Sequence, residues 1–414
     1  MEHAWLARRL GLSDAVFVGV SSMLGAGVFA VFAPAAAVAG SDLLFGLAIA
    51  AGVAWCNASS SAQLAAVYPT SGGTYVYGRE QLGPWWGFTA GWAFVIGKTA
   101  SCAAMALTFA AYAVPFSWQR PVAAVAVLAL AGVNYLGVTR TAQAARAGVI
   151  LVLACLAVVV AAGLTQAGGL SGLVASHTSH GWYGLAQSAG LMFFAFAGYA
   201  RVATLGEEVR DPAHTIPRAI LLALGIVVMV YALVATVALG VLGADGLAGS
   251  LAPLADVAVT RGWGWAVPVV GVGAALASLG ALLALMAGIG RTTLAMARER
   301  DLPVWLDAVH SRWRTPHRAE IVLALAVTTL VLTVDLRGAI GFSSFGVLLY
   351  YAVANLAAFT QPADQRRTSR AVQVVGCLGC LALTATLPPA AIASGVAALT
   401  LGAGYRLASR RLVR

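Results

Sequence analysis

Charge is what this chain has least of. Asp, Glu, Lys and Arg make up 10% of its 414 residues, against 60% hydrophobic, a balance that excludes a water-soluble globule of this size. Cysteine is sparse as well, and Cys56, Cys102, Cys155, Cys377 and Cys380 all fall in apolar runs, which argues against a disulfide framework or a zinc site. Cys377 and Cys380 share a helix face as small packing residues, and His177 and His180 read as solvated loop residues rather than metal ligands. There is no GxxxxGK[ST] phosphate loop, so the chain has no evident means of using ATP directly. No His, Asp or Glu cluster lies within the apolar runs, which removes the nucleophile, metal centre or acid/base pair that a membrane-embedded enzyme needs. Few hydrophilic residues recur along any one helix face, so the continuous polar lining of a channel is missing too.

What remains is hydrocarbon-compatible sequence, with a mean hydropathy of +0.87. A bilayer core about 30 Å thick takes about 20 apolar residues per helix, and the pattern predicts an all-α integral membrane protein of twelve transmembrane helices. They begin near Val16, Leu43, Pro84, Val122, Val149, Tyr183, Ala219, Ala266, Ile321, Ile340, Val372 and Pro389. The weakest boundary separates the last two, where only Leu387-Pro388-Pro389 breaks the run. Basic residues in short loops stay cytoplasmic. With both termini inside, only Arg120, Arg261 and Arg337 of the 25 basic residues fall outside, and Lys98 and Arg201 land within spans. The other twenty, among them Arg8, Arg9, Arg140, Arg146, Arg366, Arg367, Arg370 and Arg411, are on the inner side. The net charge of +10 is therefore a topology signal rather than a nucleic-acid footprint. Arg8 and Arg9 precede an apolar run too long for a signal-peptide core, so it reads as an uncleaved first helix.

Two spans are interrupted. The first carries Gly25-Ala26-Gly27 at its centre, and the sixth has Gly198 near its middle, after Phe193-Phe194-Ala195-Phe196-Ala197 and before Tyr199, with the polar stretch Arg201 to Arg210 following within a turn. Glycine is unfavourable inside a helix and supplies bare backbone where two half-helices separate, which marks a midplane binding site. A single small residue would ordinarily be packing; two centrally broken spans, five apart, point to a site.

The run Phe194 to Arg218, reading FAFAGYARVATLGEEVRDPAHTIPR, resembles the sixth-helix signature of the amino acid, polyamine and organocation (APC) transporters. Leu24 to Phe29 resembles their first-helix signature, Arg291 with Met296-Ala297-Arg298-Glu299 and Leu302-Pro303 resembles the segment after their eighth helix, and Asn134 to Val138 resembles the end of their fourth. The resemblance implies a five-plus-five inverted repeat, approximately residues 14–165 and 183–360, in one transmembrane domain with two extra helices at about 371–406. It also implies an amino acid bound between helices one, three, six, eight and ten. N–H groups around Gly25, Ala26 and Gly27 would then face the substrate carboxylate. Carbonyls near Phe196, Ala197 and Gly198, beside Tyr199, would accept from its ammonium. Phe194 lies where the family places an aromatic lid, although ordinary packing fits as well. Ser22, like Ser21, could reach substrate or bond back to its own helix, the default for such a hydroxyl.

The departures bear on mechanism. Where many relatives carry an acid two positions after the sixth-helix glycine, this chain has Ala200, with Arg201 beside it, which counts against arginine, lysine or polyamines as substrates. No acidic residue lies deep within any span to pair with Arg201. Lys98, at the midpoint of the third span, is the candidate proton-coupling group, because a cation at that depth is expensive and tends to face a cavity. The competing role is a structural lysine donating to carbonyls at a helix break. Some relatives use a lysine on the fifth helix for a similar task; the fifth span here has none. Sodium coupling lacks hydroxyls, the eighth span offering only Ser278. Glu207, Glu208 and Asp211, with Arg210 and Arg218, face the basic stretch Arg291 to Arg318, where ion pairs would hold the inner side closed, although a solvated loop also fits. The expectation is a secondary active transporter of neutral, apolar amino acids in the cytoplasmic membrane, coupled to protons, with no cofactor, metal or nucleic acid. The alternatives are an exchanger or exporter of another small amine or organocation, or a non-transporting amino-acid sensor of the same fold. Oligomeric state is left open.

Overall fold

The computed structural model describes residues 10–68, 72–137, 142–165, 181–203 and 208–412. Among the described residues every named element is helical. In chain order these are α1 (Leu12–Met23), α2 (Gly27–Ala30), α3 (Phe32–Ala39), α4 (Leu43–Val67), α5 (Gly73–Leu82), α6 (Pro84–Ala113), α7 (Gln119–Tyr135), α8 (Ala142–Leu164) and α9 (Gly181–Phe196). They continue with α10 (Ala200–Ala203), α11 (Pro212–Gly249), α12 (Pro253–Thr260), α13 (Ala266–Arg298), α14 (His317–Thr333), α15 (Leu336–Thr360), α16 (Arg370–Thr386) and α17 (Pro389–Leu412). Nine segments among the described residues are long and apolar enough to cross a membrane. The helices α9, α14 and α16, of 16, 17 and 17 residues, are shorter.

Local chemistry sets many of the starts. Proline opens α6, α11 and α12, where its missing N–H would have had no helical partner anyway. Gly83, at φ +103°, makes the turn into α6 that a side chain would oppose. Asp335 caps α15 by accepting from the Gly338 N–H at 3.0 Å.

The bundle is apolar outside and partly polar inside, the reverse of a soluble protein. Met229 and Leu401 are 71% and 74% exposed, while Asn57, Ser60, Gln63 and Asn355 are buried. Lipid accepts the first group; the second is hydrogen-bonded between helices. The Ser60 hydroxyl donates to Asn355 Oδ1 at 2.6 Å, and Asn355 Nδ2 donates to Asn57 Oδ1 at 2.6 Å, tying α4 to α15. Small residues bring other pairs close. An added Cβ on Gly97 would lie 3.0 Å from the Gly346 Cα, so α6 and α15 meet backbone to backbone.

A charge cluster lies inside one end of the bundle. Asp301, just after α13, and Arg406, in α17, are 1% and 0% exposed. Arg406 Nη2 is 2.9 Å from Asp301 Oδ1, an ion pair whose angles fall outside hydrogen-bond geometry. Its guanidinium sits over the rings of Trp85 and Phe88, 4.5 and 4.6 Å from their centroids. The other carboxylate oxygen accepts from the Tyr75 hydroxyl at 3.0 Å and Arg79 Nη1 at 3.4 Å, and Arg79 also pairs with Glu299 at 2.5 Å. Arg406, counted in the sequence among the inner-side arginines, is thus buried in protein.

Candidate functional site at two helix breaks

The first break follows from a lost ladder at Leu24 to Ala26. Leu24 still bonds back, its N–H donating to Val20 O at 2.7 Å, but its ψ of 33° leaves the helical region and α1 ends at Met23. The chain becomes helical again at Gly27, and Val31 N–H to Gly27 O (3.0 Å) with Ala35 N–H to Val31 O (3.1 Å) carries α2 on into α3. Gly25, Ala26 and Gly27 are all buried at the junction.

The second break, at Ala197–Tyr199, separates α9 from α10. The chain turns through Arg201 N–H to Gly198 O and Val202 N–H to Tyr199 O, both 3.0 Å. The two breaks touch. A Cβ on Gly198 would collide with the Ser22 carbonyl and lie 2.6 Å from Met23 N, and a Cβ on Gly27 would lie 2.7 Å from Ala195 Cα. Glycine at both positions is what lets the interrupted backbones meet.

Side chains from other helices bind the exposed carbonyls. The Tyr231 hydroxyl on α11 lies 2.5 Å from Met23 O and 3.0 Å from Ala195 O, one proton shared between the ends of both half-helices. Lys98 Nζ on α6 donates to Ala197 O at 3.1 Å, and the Tyr351 hydroxyl on α15 reaches the same oxygen at 3.4 Å. Tyr351 stacks on Tyr199 with centroids 4.9 Å apart. Replacing Tyr231 by Phe leaves two buried carbonyls short of a donor and is expected to destabilise by about 1–3 kcal/mol. Thermal unfolding in detergent measures this, and an unchanged midpoint would refute the clamp.

The remaining sequence candidates divide. Ser22 Oγ donates to Val18 O at 2.7 Å, back-bonding to its own helix, and what it offers the other break is its carbonyl. Phe194 and Phe196 are buried at the end of α9, Phe196 against Tyr231 at 5.2 Å. Arg201, half-buried on α10, is in electrostatic range of Arg291 and Glu208. Glu207 lies outside the described residues. Among the described residues no ion pair joins Glu208 or Asp211 to the basic stretch; Asp211 pairs with His214 at 3.0 Å, Arg298 pairs with Asp307 at 2.8 Å, and Arg146 pairs with Asp14. A buried acid that the sequence reading did not single out is Glu320, at the start of α14 rather than deep within it. It is 3% exposed in the first turn of α14, with Oε1 against Gly290 and Oε2 lacking a hydrogen-bond partner among the described residues.

A cavity of about 330 Å³ lies between α1, α8 and α13, lined by Ser21, Leu24, Gly148, Val152, Ala277 and Ala281. It reaches the first break at Leu24, and among the described residues its walls carry no charged side chain. Its size suits a small organic molecule. Ser278, the hydroxyl weighed for sodium, is fully buried with no hydrogen-bond partner among the described residues. Sequence reasoning missed Tyr231 and Tyr351. The signal available was a hydroxyl in the middle of an otherwise apolar span, which needs a partner somewhere.

This arrangement, two broken helices in contact with small residues at the junction, meets its relatives in sequence. The family described as amino acid permease matches residues 10–402. An uncharacterized transporter of Mycobacterium tuberculosis is 56% identical over 98% of this chain and 93% of its own length. The branched-chain amino acid permease BcaP of Bacillus subtilis is 26% identical over 76% of this chain and 72% of its own. A chloroplastic cationic amino acid transporter, number 7, of Arabidopsis thaliana is 28% identical over 86% of this chain and 65% of its own. The family match over nearly the whole chain and the permease relatives identify a multi-pass membrane protein: the chain belongs to the amino acid permeases of the APC superfamily.

Proposed function

We propose that this chain is a secondary active transporter of neutral, apolar amino acids in the cytoplasmic membrane, working by alternating access with a coupled proton and with both termini cytoplasmic. In this reading α9 with α10, α14 and α16 also span the bilayer, which makes twelve spans. Residues 14–165 and 183–360 then form the inverted repeats, with 371–406 outside them. The observation that carries the reading is the meeting of the breaks at Gly25–Gly27 and Ala197–Tyr199, held by one tyrosine hydroxyl shared between Met23 and Ala195.

The chemistry suits a zwitterion. The rod that starts at Gly27 and runs on to Ala39 turns the N–H groups of Gly25, Ala26 and Gly27 toward the break, a positive dipole end for a carboxylate. Carbonyls at the end of α9, around Phe196, take the ammonium, with Phe194 as the lid. Ala197 O is already engaged by Lys98. Glu207, Glu208, Arg201 and Arg291 act at the inner gate. Branched-chain and cationic substrates both occur in relatives' names; Ala200, in place of an acid, favours the neutral class here.

Lys98 is the proposed proton carrier, since a cation within a span is expensive and tends to be kept for function. The test is uptake of labelled leucine into proteoliposomes of purified protein under an inward proton gradient, with a protonophore as control. Gradient-driven accumulation supports the reading; leucine binding without flux would mark a sensor of the same fold. Lys98→Gln is expected to flatten the dependence on external pH, and an intact pH profile in that variant would remove the proton role.

A further inference from the structure

Lys98 is the chain's sole lysine. It is 7% exposed, and the Gly97–Gly346 contact fixes the helix segment that carries it against α15. Its ammonium lies 3.1 Å from Ala197 O, the first carbonyl beyond the C-terminal end of α9, and Tyr351 approaches the same oxygen at 3.4 Å. A helix C-terminus carries partial negative charge, and a carbonyl oxygen has two lone pairs. Both are directed at donors of this protein. Among the described residues no carboxylate forms an ion pair with Lys98, and the groups that meet its ammonium there are dipoles.

We propose that Lys98 is a specificity-determining residue that excludes cationic side chains. In the protonated state that receives substrate, its ammonium occupies the Ala197 carbonyl just beyond α9, where a second positive charge on a substrate would otherwise be received, so the site takes amino acids with uncharged side chains. This rests on the transport reading above and adds to it the group that makes the choice. A zwitterion brings its own negative charge into the site. Arginine or lysine brings one positive charge more, and two like charges at an illustrative separation of about 7 Å and an effective dielectric of about 20 weaken binding by roughly 50-fold. The loss of an acid at Ala200 removes an attraction for cations; Lys98 adds a repulsion, the second half of any strong discrimination.

The test is thermal stabilisation of the full-length, detergent-solubilised protein by leucine and by arginine at one fixed pH, for wild type, Lys98→Gln and Lys98→Arg. Wild type is expected to bind leucine at least about 30-fold more tightly than arginine. Lys98→Gln, which keeps a donor for the Ala197 carbonyl but no charge, is expected to close most of that gap, and Lys98→Arg to preserve it. A folded Lys98→Gln protein with the wild-type ratio overturns the proposal while leaving the transport reading intact. Wild type that binds arginine as well as leucine overturns it even if Lys98→Gln does not fold. If wild type is stabilised by neither ligand nor by any other neutral amino acid, the substrate reading itself falls, and this inference with it.

Discussion

Alanine at position 198 is expected to abolish transport, with leucine flux into proteoliposomes falling at least about 100-fold. The loss arises from space rather than from backbone strain. The new Cβ would occupy the Ser22 carbonyl and lie 2.6 Å from Met23 N; these are main-chain atoms, which have no rotamer to escape into. Overpacking a well-filled core costs about 1–3 kcal/mol when side chains can give way, and here the two interrupted helices must move apart instead. Once they part, the Tyr231 hydroxyl cannot serve Met23 and Ala195 together, so the junction that forms the site loses its clamp as well. Gly225→Ala in α11 is the matched control, because an added Cβ there meets nothing within 4 Å. It should be neutral or slightly stabilising, by up to about 1 kcal/mol from helix propensity. Wild-type flux and unfolding temperature in the Gly198→Ala protein would disprove the contact between the breaks.

Arg406→Met is expected to lower stability by about 3–5 kcal/mol, the penalty for leaving one member of a buried ion pair alone. The partner at risk is Asp301, 1% exposed. Burial pushes the Asp301 carboxyl up, against the opposing pull of Arg406, then the Tyr75 hydrogen bond, then Arg79. Without Arg406 the strongest opposing influence is gone and the folded-state value rises further. A carboxyl whose folded pKa is raised destabilises the fold when ionised and not when protonated. The deficit of Arg406→Met should therefore be full at pH 8 and narrow as pH falls toward 5. The double variant Asp301→Asn with Arg406→Met should recover most of the loss at pH 8, since a buried pair is worth little net once both charges are removed. Thermal unfolding of the detergent-solubilised protein at the two pH values measures all three. A deficit that does not change with pH, or a double variant as unstable as the single, would show that Arg406 acts through its packing on Trp85 and Phe88 rather than through charge.

Much of this protein was legible in one dimension. Bilayer residence follows from composition alone, because hydrocarbon solvates what water rejects. The helix starts at Leu43, Pro84, Ala266 and Pro389 coincide with the onset of apolar runs, since proline and loss of polarity act locally. The two interruptions were visible too, because glycine weakens a helix through its own backbone, whatever lies around it. Long-range partners were not legible. Nothing near Tyr231 in sequence says that its hydroxyl joins residues 23 and 195, and nothing near Arg406 says that it neutralises Asp301 beneath two aromatic rings. Counting charges by loop put Arg406 with the inner-side arginines and left Glu320 unremarked, because hydropathy records a residue's affinity for lipid and says nothing of protein burial. Lys98 stood out in the sequence as a charge at depth, but the Ala197 carbonyl 3.1 Å from its ammonium was not legible there. The sequence by itself settled solvent, helices and breaks, which are consequences of local backbone and side-chain chemistry. Only the tertiary structure decided which buried donor meets which exposed carbonyl, because that depends on the packing of helices far apart in the chain.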